Sequence, residues 1–226
     1  MGLVAVALCA TVGGLANKTN SRILPELYDH LSDARQHVDE GQLSCAIAQA
    51  NLLLISDAKV YVASESREDL EVVAQATAAW EAALNGEMKF TRVNDPRLAQ
   101  IKVVFNDHMQ REGVEVGGYT TWRRAVKQQS DGNWKPDLSV NVELREIQPC
   151  GDPMNFRQKL HAAMHEFGHV LGLDDSNEIG DVMGALDLEQ PVRKPRAKEI
   201  EAIMELRAEA KGLRKSAQTA INAKRF

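Results

Sequence analysis

Residues His161-Ala162-Ala163-Met164-His165-Glu166-Phe167-Gly168-His169-Val170-Leu171-Gly172-Leu173-Asp174-Asp175 contain His-Glu-x-x-His followed by x-x-Gly-x-x-Asp. On a helix, positions i and i+4 share a face, so His165 and His169 can both point at one metal ion. Zinc accepts imidazole nitrogen, and a zinc site that does chemistry needs three protein ligands and one open position for water. Glu166 stands beside the first histidine, where it can reach that water as a base without binding the metal. The third ligand has to come from beyond the helix. Gly172 suits the left-handed turn in which a helix ends. After that reversal Asp175 falls where a carboxylate could return to the ion.

Met183 follows in Asp181-Val182-Met183-Gly184. With it, the stretch resembles the metzincin zinc metalloproteases, whose long motif continues to a third histidine and then a Met-turn. His165-Glu166-Phe167-Gly168-His169-Val170-Leu171-Gly172-Leu173 looks most like the matrixin branch. Asp175 stands where matrixins carry histidine and is similar there to the small bacterial snapalysin-type proteases. The resemblance implies an α+β, metzincin-like zincin fold with a mixed twisted sheet packed on the active-site helix. It implies one catalytic Zn2+ held by His165, His169 and Asp175, Glu166 as general base, and Met183 as a hydrophobic floor. The implied activity is that of an endopeptidase on protein or peptide substrates. Asp174 is a rival third ligand, one place short of the family spacing, and reads better as a solvated turn residue. His161, one turn before His165, reads as a partly exposed histidine, the alternative being a group at the rim of the site. Structural Ca2+ is left open but not indicated, and no second zinc cluster stands out.

Two other classes compete with the enzyme. One is a zinc-holding binding module without turnover; the other is an interaction protein acting through its N-terminal helices. Glu166 speaks against the first, because a purely structural site has no use for a base and more often closes with four ligands.

The chain has 226 residues, room for one good core or a domain with a small accessory part, and 44% of them are hydrophobic. The formal net charge of −5 gives no reason to expect nucleic acid. From Pro191 to Phe226 there are 10 Lys+Arg against 4 Asp+Glu, which reads as a solvated basic helix. Residues 1–16 read as a secretory signal: an apolar run from Gly2 to Val12, then small residues at Gly14-Leu15-Ala16, though without a leading positive charge. A secreted or extracytoplasmic protein follows from that reading. The run is too short for a stable membrane span, and a monomer is expected. Cys45 and Cys150 remain after the signal, either paired or as two buried thiols.

Residues 17–56 read as a helical hairpin, with stripes at Leu24, Leu27, Leu31, Ala34 and Val38 and then at Leu43, Ala46, Ile47, Ala50 and Leu53. It is expected to brace the catalytic domain, the alternatives being a pro-segment or a partner-binding module. The catalytic domain is placed at 57–226. Lys59–Ala63, Ile101–Phe105 and Leu138–Leu144 read as strands, with another beginning near Gly117. A helix capped by Ser66 buries Leu70, Val73, Ala74, Thr77, Trp80 and Leu84. The active-site helix is expected from about Met154, capped by Asp152 with Pro153 in its first turn. Gly184 to Pro195 would wall the cleft, and a last helix runs from Ala197 to about Lys215 with a frayed end. The matrixin resemblance puts the substrate-pairing edge within Gly113 to Arg124.

Overall fold

The computed structural model describes residues 22–223. The apolar run at 1–16, read as a signal, lies outside the described residues, as do 17–21 and 224–226. Two helices open the described chain, α1 (Pro25–Asp39) and α2 (Leu43–Leu53). There follow β1 (Asp57–Ala63), α3 (Arg67–Ala83), β2 (Lys89–Arg92), β3 (Ile101–Asn106) and the short pair β4 (Gln110–Arg111) and β5 (Val114–Glu115). The long strands β6 (Gly118–Gln128) and β7 (Trp134–Arg145) precede α4 (Phe156–Leu171) and α5 (Ala197–Ala223). The fold is α+β, with five helices and a mixed sheet among the described residues.

The main sheet has the order β2-β1-β3-β7-β6. Its first four strands run parallel, and β6 pairs antiparallel with β7 from Gly118↔Leu144 to Gln128↔Trp134. Alternation buries Val60, Val62, Ile101, Val103, Val140, Val142 and Leu144 on one face. β6 is therefore a sheet edge, in the region where the resemblance implied one.

Helix α3 is capped as its sequence predicts, with Ser66 Oγ accepting from Asp69 N–H at 3.3 Å. Val73, Thr77, Trp80 and Leu84 are buried as expected and Leu70 is half-buried; Asp69, Val72 and Ala76 join them, while Ala74 is exposed. The buried Asp69 is one half of an ion pair. Lys159 on α4 reaches Asp69 Oδ1 at 3.1 Å, and both side chains are nearly inaccessible to water. An apolar count cannot foresee a buried aspartate whose partner lies on another helix.

Helix α4 begins at Phe156, two residues later than expected, and Asn155 caps it rather than Asp152. Asn155 Oδ1 accepts from the N–H groups of Arg157 and Gln158, and Gln158 Oε1 accepts from Asn155 N–H at 2.9 Å. This reciprocal box satisfies donors that the first turn leaves without partners. The helix is then locked into the core. Trp80 Nε1 donates to Met164 O at 2.9 Å, and the Phe167 ring meets Phe90 edge-on at 5.2 Å. Gly168 is a packing glycine, as its place inside the helix suggests. A Cβ there would stand 2.2 Å from Met183 Sδ.

Helix α5 continues to Ala223, well past Lys215, so 216–223 is helical and not frayed. Its far half has something to pack on: Ala217 is fully buried in a small cluster with Leu43 and Ala46 of α2. α2 also lies against α1, β6 and β7. Arg207 of α5 donates to Ile55 O at 3.1 Å and Glu87 O at 2.8 Å, tying these helices to the sheet domain. Cys45 is buried and Cys150 exposed, and both are free, which removes the disulfide and the reading of two buried thiols. No helix among the described residues is long and apolar enough to cross a membrane.

Trp80→Phe removes a buried donor to α4 and leaves a small void. It is expected to lower stability by about 1–3 kcal/mol, measured as a shift in the urea midpoint with an unchanged slope.

Candidate metal centre

One face of α4 carries His165 and His169, and their rings stand 4.8 Å apart at 85°. His165 Nδ1 bonds to Val182 O at 3.0 Å, and His169 Nδ1 to Leu173 O at 2.9 Å. A ring nitrogen beside a carbonyl must carry the proton. Both rings therefore keep Nε2 for another partner.

That partner is reached through the bend. α4 ends on Gly172, at φ 103° and ψ 10°, with its N–H turned back to Gly168 O and His169 O. Three residues on, Asp175 Oδ1 lies 3.1 Å from His165 Nε2 and 3.4 Å from His169 Nε2. One ligand atom from each residue lies within 4.8 Å of the others. Two atoms bound to a tetrahedral zinc at roughly 2.0–2.2 Å stand about 3.4 Å apart. The donor set thus fits a zinc ion in both chemistry and spacing. The Asp175 side chain is 74% exposed, so its side of the site opens to solvent. Asp174 is not in the cluster; it lines the neighbouring cleft.

The electrostatics agree with this convergence. The imidazoles of His165 and then His169, in contact through Nε2, hold the Asp175 carboxyl well below the usual carboxylate range when they are protonated. Burial pulls the His165 imidazole down, but the Asp175 bond, the charges of Glu166 and Asp175, and the Val182 carbonyl together raise it. Burial raises the Glu166 carboxyl, against the charges of His165 and His169 and a hydrogen bond from Thr120.

Glu166 is 3% exposed and points into β6. Thr120 Oγ1 donates to its Oε2 at 2.7 Å. A Cβ on Gly118 would stand 2.4 Å from Glu166 Oε1, so the strand has to be bare at that position. Beside these residues runs a cleft of about 690 Å³. Gly118, Thr120 and Trp122 of β6 line one side, and Gly184, Leu186 and Leu188 line another, as expected for the segment after Met183. Met183 itself is 2% exposed and packs against Gly168, with no part in lining the cleft. Its N–H donates to the buried Glu199 Oε1 at 2.9 Å.

His161 departs from its sequence reading: it is 1% exposed. Its Nε2 bonds to Val182 O at 3.2 Å, and its Nδ1 accepts from Val192 N–H at 3.3 Å. Burial takes its pKa down to about 4, against the Val182 carbonyl, so the ring is neutral at pH 7. A neutral ring has one donor and one acceptor, which matches these two bonds. It ties α4 to the cleft wall. Sequence reasoning also missed Thr120, Gly118 and Arg124. Arg124 bonds to His169 O at 3.3 Å and Val170 O at 3.1 Å, satisfying free carbonyls at the end of α4. Tertiary proximity, not a local pattern, gives these residues their places.

A family model described as Matrixin matches residues 55–206, about two thirds of the chain. The chain belongs to the matrixin family. Zinc metalloprotease chemistry and protein or peptide substrates come with that membership. Among curated proteins none matches. In this matrixin the match takes in β1 through the first part of α5, and therefore the whole His165–Asp175 cluster. α1, α2 and the end of α5 lie outside it.

Gly118→Ala should push the Glu166 carboxylate aside without touching the two imidazoles. Peptide cleavage is expected to fall on the order of 10²-fold while bound zinc per chain stays constant, read by kcat/KM and metal analysis together.

Proposed function

We propose that this matrixin is a zinc endopeptidase in which His165, His169 and Asp175 hold the ion and Glu166 is the general base. The observation that carries the reading is the convergence of two Nε2 atoms, whose Nδ1 partners are already engaged, on Asp175 Oδ1. The buried Glu166 carboxyl stands next to them. Zinc, when bound, supplies the Lewis acidity that makes water nucleophilic near neutral pH. Asp175 in place of a neutral histidine adds negative charge beside the ion and tempers that acidity.

Glu166 takes a proton from the attacking water and passes it to the leaving nitrogen. Burial raises its pKa, which makes the carboxylate the better proton acceptor. Thr120 orients the carboxyl through its 2.7 Å bond. β6 borders the cleft and is the sheet edge, so an extended peptide can pair with its backbone. Pairing of that kind tolerates varied side chains and leaves selectivity to the cleft walls. On this reading residues 57–226 are the catalytic domain and 17–56 a brace on it. The apolar start at 1–16 directs secretion, which mass spectrometry of the exported protein's N-terminus tests.

Casein cleavage is the primary assay. Cleavage should stop with a zinc chelator and return with zinc. Glu166→Ala should lower it by about 10²–10⁴-fold with zinc still bound. Undiminished cleavage in that variant rejects the role of Glu166. A wild-type chain that holds zinc but cuts no member of a diverse peptide library points instead to a binding module.

A further inference from the structure

The residue proposed as third ligand is the least enclosed of the three. Asp175 sits on an exposed turn, and its own N–H is satisfied locally by Asp174 Oδ1 at 2.9 Å. A side chain so placed needs its backbone held from outside. On its C-terminal side, Ser176 N–H donates to Met183 O at 2.8 Å, and Ser176 Oγ to Asp181 Oδ2 at 2.8 Å.

The other grip comes from far away in sequence. Leu24 N–H donates to Gly172 O at 2.9 Å, and Asp174 N–H donates to Arg22 O at 2.8 Å. Ile23 thereby lies antiparallel to Leu173. Ile23 and Leu173 are buried at 3% and 0% exposure, which anchors the short ladder in the core. The Arg22 guanidinium then reaches past Asp175 to the far side of the turn. It bonds to Asp181 Oδ2 at 2.8 Å and pairs with Glu178. Three consecutive residues thus hold the chain before and after Asp175. All three precede the part of the chain that the family model matches. Leu24 also lines the cleft.

We propose that Arg22–Leu24 is a clasp that positions Asp175 for the metal, making the N-terminal hairpin a working part of the site and not a removable pro-segment. The proposal rests on the reading of Asp175 as a ligand. Arg22, Ile23 and Leu24 are positioning residues. Their main-chain bonds fix the bend from Gly172 to Asp174, and the guanidinium fixes the return. Outer partners of metal-binding side chains are typically worth 10–100-fold in metal affinity.

The test uses the full chain and zinc alone, with dissociation constants from competition against a chromogenic chelator. Leu24 has φ −51° and precedes Pro25, so Leu24→Pro removes its N–H donor without a strained backbone angle. Arg22→Ala removes the guanidinium arm while Arg196 and Lys198 still face Asp181. The two together are expected to weaken zinc binding by about tenfold or more in protein that remains folded by circular dichroism. In an Asp175→Ala background the same pair should cost nothing further, because a clasp acting through Asp175 has nothing left to position. Arg22→Ala alone, which keeps the ladder, should weaken zinc severalfold and serves if the double variant does not fold. Unchanged affinity in the folded variants, or an equal loss in the Asp175→Ala background, overturns the clasp and leaves the protease reading standing. A wild-type chain that binds no zinc overturns the metal reading itself, and the clasp with it.

Discussion

The Nδ1 atoms of His165 and His169 each face a backbone carbonyl, and almost everything else at the site follows from that. A hydrogen bond to a carbonyl fixes both the tautomer and the plane of an imidazole. The free Nε2 atoms then have one direction to face, and Asp175 Oδ1 lies in it. The carbonyls belong to Leu173, at the bend after α4, and to Val182, in the segment that carries Met183. The bend itself sets the His169 ring, and the fold must bring the Val182 segment back under the helix before the His165 ring is set.

That return is fastened by buried polar contacts as well as by the packing of Val182 and Met183 in the core. Glu199, fully buried on α5, accepts from Met183 N–H at 2.9 Å and from Arg196 N–H at 2.7 Å. Asp181, equally buried, receives Ser176 Oγ, Arg22, Arg196 and Lys198. A buried carboxylate is costly unless its charge is compensated. Asp181 is ion-paired and hydrogen-bonded, and Glu199 accepts from two backbone N–H groups. His161 adds a bond to the same Val182 carbonyl and another to Val192 N–H. The loop after α4 is thus fastened from α4, from α5 and from the N-terminal segment. Gly168 completes the arrangement by leaving space on α4 for Met183 Sδ.

How much of this was legible beforehand depended on whether a residue's role is local. The spacing of His165, His169 and Gly172 expresses helix geometry, and those expectations match the structure. Ser66 capping α3 and the alternation in β1 and β7 are local in the same way. The misplacements share a different cause. Ala74 was expected inside and is exposed, while Asp69 is buried against Lys159, 90 residues away. α4 starts at Phe156 because Asn155 and Gln158 form a reciprocal cap that outweighs the plainer Asp-Pro signal. α5 runs on to Ala223 because α2 is there to cover Ala217. His161 looked like a surface histidine because nothing nearby in sequence shows that two backbone groups will enclose it.

By itself the sequence determined which side chains could share an ion and which carboxylate could serve as a base, since one helix turn and one glycine bend are short-range geometry. Only the tertiary structure decided which ring nitrogens stay free, what presses Glu166 into place, and what holds the turn that carries Asp175. Those depend on backbone carbonyls, on a bare strand at Gly118, and on Arg22–Leu24. None of these has a side-chain signature that marks its distant partner, so each becomes visible only when the folded chain brings the two together.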